Sequence, residues 1–279
     1  MSVLRMWVLG VVALAVVLTA APDLSAADPA AKKAAPEVFQ RMVSIGASVS
    51  AGLDPNRLKK DVTIAAAMDA FVKGSHEEAT DASDFTFFMD AKGKAKTLLE
   101  KAKKKKPTLV VALDFLFWFA YGVKSNDQRH ADLQEGLAML AQFECPVLLG
   151  DLPDMRNAVG TGQTGLTRKQ APSVGQLNKL NAAIKAWAKK RENVIMVPLA
   201  GYVGDVNAGR KVKVGKMKWP AGAKSTLLHR DQLHATVDGT VSLAYLALYT
   251  LDSKRKDVKS KHYEQSVKKV IKGLREEKQ

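Results

Sequence analysis

The chain has 279 residues, 47% hydrophobic and 25% charged, with 43 basic against 28 acidic residues and a net charge of +15. That length can bury a substantial core, and the balance of apolar to charged residues excludes a disordered or collagen-like chain. A single cysteine, Cys145, excludes an intramolecular disulfide scaffold; between Phe143 and Pro146-Val147 it reads as a buried structural thiol. No His/Cys cluster has metal-ligand spacing and no glycine-rich phosphate loop is present, so neither metal nor cofactor is expected.

The N-terminus reads as an export signal over residues 1–27. Arg5 provides a positive start, Met6 to Ala21 is almost wholly apolar, and Leu24-Ser25-Ala26-Ala27 supplies small residues for cleavage. About 16 apolar residues fall short of the roughly 20 that a membrane span needs. Residues 28–36 form an Ala/Lys/Pro linker without hydrophobic periodicity.

Val38 to Ile45 reads as a strand running into Gly46-Ala47-Ser48. Leu58 to Val72 has helical spacing, with Val62, Ala66, Met68 and Phe71 on the buried side. A short strand is expected over Asp84 to Met89, and a lysine-rich surface helix over Ala91 to Lys105. Thr108 to Leu113 is an unbroken apolar run, the pattern of a strand covered on both faces. The alternation continues through a helix (His130 to Phe143), a strand (Pro146 to Gly150), a helix (Val174 to Lys190) and a strand (Val194 to Pro198). Gly201 to Leu228 is irregular and lysine-dotted, either a lid over a site or a surface insertion. A largely apolar helix spans Thr236 to Leu251, and residues 253–279 form a basic amphipathic helix suited to docking on its own domain.

Strands alternating with helices predict an α/β fold. The expected form is a three-layer α/β/α sandwich around a mainly parallel, flavodoxin-like sheet of about five strands. In such sheets ligands bind beyond the carboxyl ends of the strands. Ser48, Asp114 and Asp151 all fall there.

Two segments carry chemistry: Gly46-Ala47-Ser48-Val49-Ser50 after the first strand, and Asp231-Gln232-Leu233-His234-Ala235-Thr236, followed by Gly239. A serine hydroxyl becomes nucleophilic when an imidazole takes its proton, and a carboxylate fixes that imidazole's tautomer. The alternatives are a turn or cap serine, a helix-entry histidine and a capping aspartate. Together the segments resemble the SGNH (GDSL-like) hydrolase family of esterases, lipases and acetylesterases over roughly Phe39 to Leu251.

The resemblance implies a domain at 37–252 in which Ser48 attacks an ester carbonyl, His234 is general base then acid, and Asp231 orients His234. It also implies that the Ser48 backbone N–H donates to the oxyanion. The family's second donor block lacks its glycine here, and Asp114 aligns with an asparagine donor, although an ionised aspartate only accepts. Asp114 is then either a protonated donor or a strand-end residue that binds substrate or a backbone turn. Phe115, Phe117, Trp118, Phe119 and Tyr121 form either an acyl pocket or a buried aromatic helix. Asp151 to Asp154 is expected at the pocket floor, with Asn126 as another donor.

The expected activity is exported, periplasmic or secreted carboxylic ester hydrolysis through an acyl-enzyme. The substrate is a small ester, a lipid or an acylated glycan. The alternative is a catalytically weak relative that binds envelope lipid or glycan. The lysine runs point to an anionic envelope surface as partner, and with few interleaved aromatics nucleic acid is not expected.

Overall fold

The computed structural model describes residues 33–162 and 165–277; the predicted export signal and residues 28–32 of the linker lie outside them. In chain order the strands are β1 Met42–Ser44, β2 Leu53–Asp54, β3 Lys59–Lys60, β4 Thr80–Asp81, β5 Leu109–Ala112, β6 Val147–Gly150, β7 Val194–Val197, β8 Val212–Val214 and β9 Met217–Trp219. The helices are α1 Ile64–Phe71, α2 Ala91–Lys104, α3 Phe117–Ala120, α4 Asn126–Leu140, α5 Val174–Lys189, α6 Leu199–Asn207, α7 Lys224–Leu227, α8 Val237–Lys254 and α9 Val267–Glu276.

Five strands form one parallel sheet in the order β4-β1-β5-β6-β7. Helices α1, α8 and α9 pack together, as do α2, α4 and α5, giving a three-layer α/β/α sandwich. β1, β5 and β6 are buried along their whole length because both faces are covered, which is why they read as continuous apolar runs. After β1 the chain moves outward to β4, then returns to β5 on the other side. The crevice beyond β1 and β5 is therefore the switch point at which open α/β sheets bind ligands.

Several elements differ from the sequence reading. The expected strand over 38–45 shrinks to β1, because Pro36 leads a 3-10 turn at Glu37–Phe39. The helix expected from Leu58 begins at Ile64. Leu58 has a left-handed backbone (φ 48°) at the β2–β3 hairpin, and the Thr63 side chain caps α1 by accepting from Ala66 N. Ala66 is exposed, not buried. The strand expected over 84–89 is instead β4 followed by a 3-10 turn. Asp84 Oδ1 accepts from Thr86 N and its hydroxyl, a local bond that competes with extended pairing.

The segment 201–228 is not irregular: it holds most of α6, the antiparallel hairpin β8–β9, and α7. Cys145 is only partly buried, though burial raises its thiol to about 11. The compact unit starts at Lys33, where Ala34 bridges Ser75 and Ala35 is buried, so the end of the expected linker belongs to the domain. The tail docks on the domain through Val267, Val270, Ile271 and Leu274. Arg275 pairs with Asp238 in the first turn of α8.

Arg129 in α4 is buried, and among the described residues it has no carboxylate partner. Its guanidinium donates to the carbonyls of Ala120, Gly122, Lys169 and Gln170, tying the segment after β5 to the one before α5. Arg129→Met removes the guanidinium from four carbonyls, of which Gln170 O keeps its bond from Gly122 N. We expect the unfolding free energy to fall by about 2 kcal/mol. Urea denaturation measures this, and an unchanged midpoint would refute the clamp.

Candidate active site

Ser48 opens the turn that follows β1. The turn closes on itself through Ala51 N to Ala47 O (2.9 Å) and Leu53 N to Ser48 O (2.9 Å). Asp114 lies beneath it, at the end of the neighbouring β5. Asp114 Oδ1 accepts from Ala47 N at 3.0 Å and from the Ser50 hydroxyl at 2.5 Å; Oδ2 accepts from Val49 N at 2.9 Å and Ser50 N at 3.1 Å. The Ser48 turn is thus hung from one carboxylate. Gly46 is required by the same contact, since a Cβ there would meet Asp114 Oδ1 at 2.1 Å and Ser50 Oγ at 2.5 Å.

His234 comes from the other end of the chain, on a tight loop leading into α8. The loop is pinned by the Leu228–Ala235 bridge and by His229 N to His234 O at 2.9 Å. Asp231 Oδ1 accepts from Leu233 N and His234 N, both at 3.1 Å. Asp231 Oδ2 lies 2.6 Å from His234 Nδ1, and His234 Nε2 lies 2.9 Å from Ser48 Oγ. Gln232, between the two, takes a left-handed backbone (φ 55°) that turns the loop tightly enough for Asp231 to reach His234. Thr161 anchors the loop from outside by donating its hydroxyl to the Asp231 carbonyl. Thr236 caps α8 by accepting from Gly239 N. Gly239 itself leaves no room for a Cβ, which would meet Leu227 O at 2.0 Å.

All four groups are buried: Ser48 is 8% exposed, Asp114 7%, Asp231 6% and His234 4%. With Asp231 on Nδ1, a neutral His234 presents Nε2 as an acceptor to the serine hydroxyl. In such an arrangement the imidazole can take the serine proton and the carboxylate can stabilise the imidazolium.

Asp114 is an acceptor beneath the turn. It also borders the cleft beside Ser48. Ala47, Val49 and Ser50 all commit their N–H groups to Asp114, whereas the Ser48 N–H has no partner among the described residues. Burial raises the Asp114 pKa, opposed by the Ser50 hydroxyl and the three backbone donors.

Ser48 lies on the wall of a small apolar cleft of about 50 Å³. Leu116, Phe117, Met155, Leu199, Val203 and Leu228 line it. Of the aromatic run after Asp114 only Phe117 reaches the cleft wall; Phe115, Phe119 and Tyr121 are fully buried. The Tyr121 hydroxyl donates to Pro153 O and accepts from Met155 N, holding the cleft floor. Asn181 clamps Leu152 through both its backbone groups. Asp151 is at that floor too, but it is engaged by Ala200 N at 2.6 Å at the start of α6. Asp154 pairs with Arg156, and Asn126 is exposed at the start of α4, off the cleft wall. Ser50, Gln232 and Thr161 escape the sequence reading: Ser50 bonds the Asp114 carboxylate, Gln232 turns its own loop, and Thr161 holds the Asp231 carbonyl from across the fold.

No family model matches the chain, and no curated protein matches it. Among solved structures, a gut microbial diltiazem-metabolizing enzyme shares 11% identity and a TM-score of 0.48 over 78% of this chain. The match takes in 47% of that enzyme, so the chain spans about half its length. A Bacteroides fragilis protein described as a "putative acylhydrolase" shares 15% identity and a TM-score of 0.41, over 77% of this chain and 88% of its own.

Asp114→Asn removes the titrating carboxyl, although it also sets an amide N–H against the donors of the turn. Because the folded state raises this pKa, it holds more protons than the unfolded chain between about pH 4 and the raised value, so stability falls as pH rises through that window. Urea titrations at stepped pH should show the wild type losing stability relative to Asp114→Asn there, with the difference flat at higher pH. A difference independent of pH from 4 upward would contradict this.

Proposed function

We propose that the chain is a serine hydrolase cleaving carboxylic esters, with Ser48 as nucleophile, His234 as base and Asp231 as its orienting partner, an SGNH-like hydrolase in chemistry. One observation carries the reading: the unbroken relay from Asp231 Oδ2 to His234 Nδ1 at 2.6 Å and from His234 Nε2 to Ser48 Oγ at 2.9 Å. It opens on an apolar cleft.

Ser48 Oγ attacks the ester carbonyl while its proton passes to His234 Nε2. Negative charge develops on the carbonyl oxygen, where the Ser48 N–H is available to donate. His234 then returns the proton to the leaving alkoxide, the C–O bond breaks, and an acyl-Ser48 ester remains. Water enters, gives its proton to His234 and attacks the acyl carbon. His234 protonates Ser48 Oγ as the carboxylic acid departs. The apolar segment at residues 6–21 supports an exported, periplasmic or secreted setting.

A specific observation favours a second reading, a slow or inactive relative that holds an acyl ligand. Asp114 turns both oxygens toward donors of the turn and supplies no donor to the cleft. A fluorophosphonate probe separates the two. We expect labelling of wild type, none of Ser48→Ala or of unfolded protein, and hydrolysis of soluble short-chain esters. Asp231→Asn should lower kcat by on the order of 10³- to 10⁴-fold, because it favours the wrong imidazole tautomer. A folded wild type that neither labels nor turns over ester would overturn the hydrolase reading.

A further inference from the structure

Among the described residues six large hydrophobic side chains are exposed, and five of them share one end of the domain. Leu58 lies between β1 and α1, Phe88 and Met89 between β4 and α2, Val123 between β5 and α4, and Val174 at the first residue of α5 after β6. Every one of these segments leaves the carboxyl end of a strand, the edge that carries Ser48 and the cleft. The sixth, Tyr249, is on α8. The opposite edge is different: the turns entering β5, β6 and β7 present Lys104 to Lys106, Gln142 with Glu144, and Lys189 to Glu192.

The apolar rim is continuous with the cleft wall. The Phe88 ring packs against Trp118 at 5.8 Å, Trp118 meets Phe117 edge-on at 5.2 Å, and Phe117 lines the cleft. Across the rim, Lys124 donates to the Trp118 carbonyl and shares Asp132 with Lys92 at the start of α2. Arg168, in the segment before α5, is exposed. Leu58 holds its outward position from a left-handed backbone, a conformation unfavourable for a bulky side chain. Exposed apolar residues scattered singly need no explanation, but their concentration around a cleft does.

We propose that this carboxyl-edge face docks on an anionic lipid surface, seating the cleft mouth against the lipid so that lipid-resident esters reach it. The proposal rests on the hydrolase reading for the ester and on the rim alone for the docking. Aliphatic and aromatic side chains flanked by cations suit the boundary between acyl chains and anionic headgroups. A net charge of +15 adds long-range attraction. A sugar platform needs an open aromatic face, and here Phe88 and Trp118 are tilted 50° against each other.

The test places an environment-sensitive nitrobenzoxadiazole dye on the full chain, in a Cys145→Ser background, at Met89→Cys on the rim or at Glu192→Cys on the opposite edge. Vesicles of phosphatidylcholine mixed with phosphatidylglycerol are then added. The dye at Met89→Cys should shift to the blue and the dye at Glu192→Cys should not. Leu58→Asn/Phe88→Ser/Met89→Ser should bind the vesicles about tenfold more weakly or worse, with soluble-ester turnover unchanged. Equal shifts at both sites, no shift at Met89→Cys, or wild-type binding by the triple variant would each overturn the proposal. A shift with a soluble acylated glycan instead of vesicles would overturn it in favour of a sugar surface. Dye shifts without any soluble-ester turnover would remove the hydrolase reading and leave the docking intact.

Discussion

The arrangement hangs on one buried carboxylate. Asp114, at the end of β5, collects the N–H groups of Ala47, Val49 and Ser50 and the Ser50 hydroxyl, all from the turn after β1. Those amides cannot pair with a neighbouring strand once the chain leaves the sheet, and buried without partners each would cost about 1–3 kcal/mol. Asp114 satisfies them together and so fixes where Ser48 sits relative to the crevice between the two strands. Gly46 follows from this choice, because the carboxylate occupies the space of its missing side chain. An asparagine at the same point would bring an N–H against donors, so the turn and an amide cannot coexist without rearrangement.

The second half of the site is organised by backbone in a different way. Asp231 holds two amides of its own loop with one oxygen and faces the imidazole with the other. The loop is shaped by the left-handed Gln232, closed by the Leu228–Ala235 bridge, and continued directly into α8 by the Thr236 cap. A short spacing thus becomes a rigid pair, with α8 packed against α1, α9 and β7 behind it.

What could be read in advance follows the range of the interactions. The long apolar runs of β5 and β6 reveal buried strands because burial on both faces removes any alternation. Asp231 and His234 sit three residues apart on one turn, so their pairing is written in a local pattern. β4 is only two residues long, too short to leave a period, and it is invisible beside the aromatic stretch that follows it. The hairpin β8–β9 hides among lysines because its exposed face dominates the composition. The direction in which Asp114 points depends on a turn more than sixty residues away, which no local pattern encodes. Arg129 is harder still: a buried arginine that binds only carbonyls looks in sequence like any surface arginine of a polar helix.

The bond between His234 and Ser48 spans 186 residues of sequence. Ser48 therefore precedes His234 by most of the domain, and the two meet only once α8 has docked on α1 and β7. Contacts of such separation form late, after the loop between them has been ordered. A partly folded domain would hold Ser48 without the imidazole beside it. The pairing of Ser48 with His234 thus coincides with completion of the domain, and damage to the C-terminal segment would remove the imidazole without touching the serine.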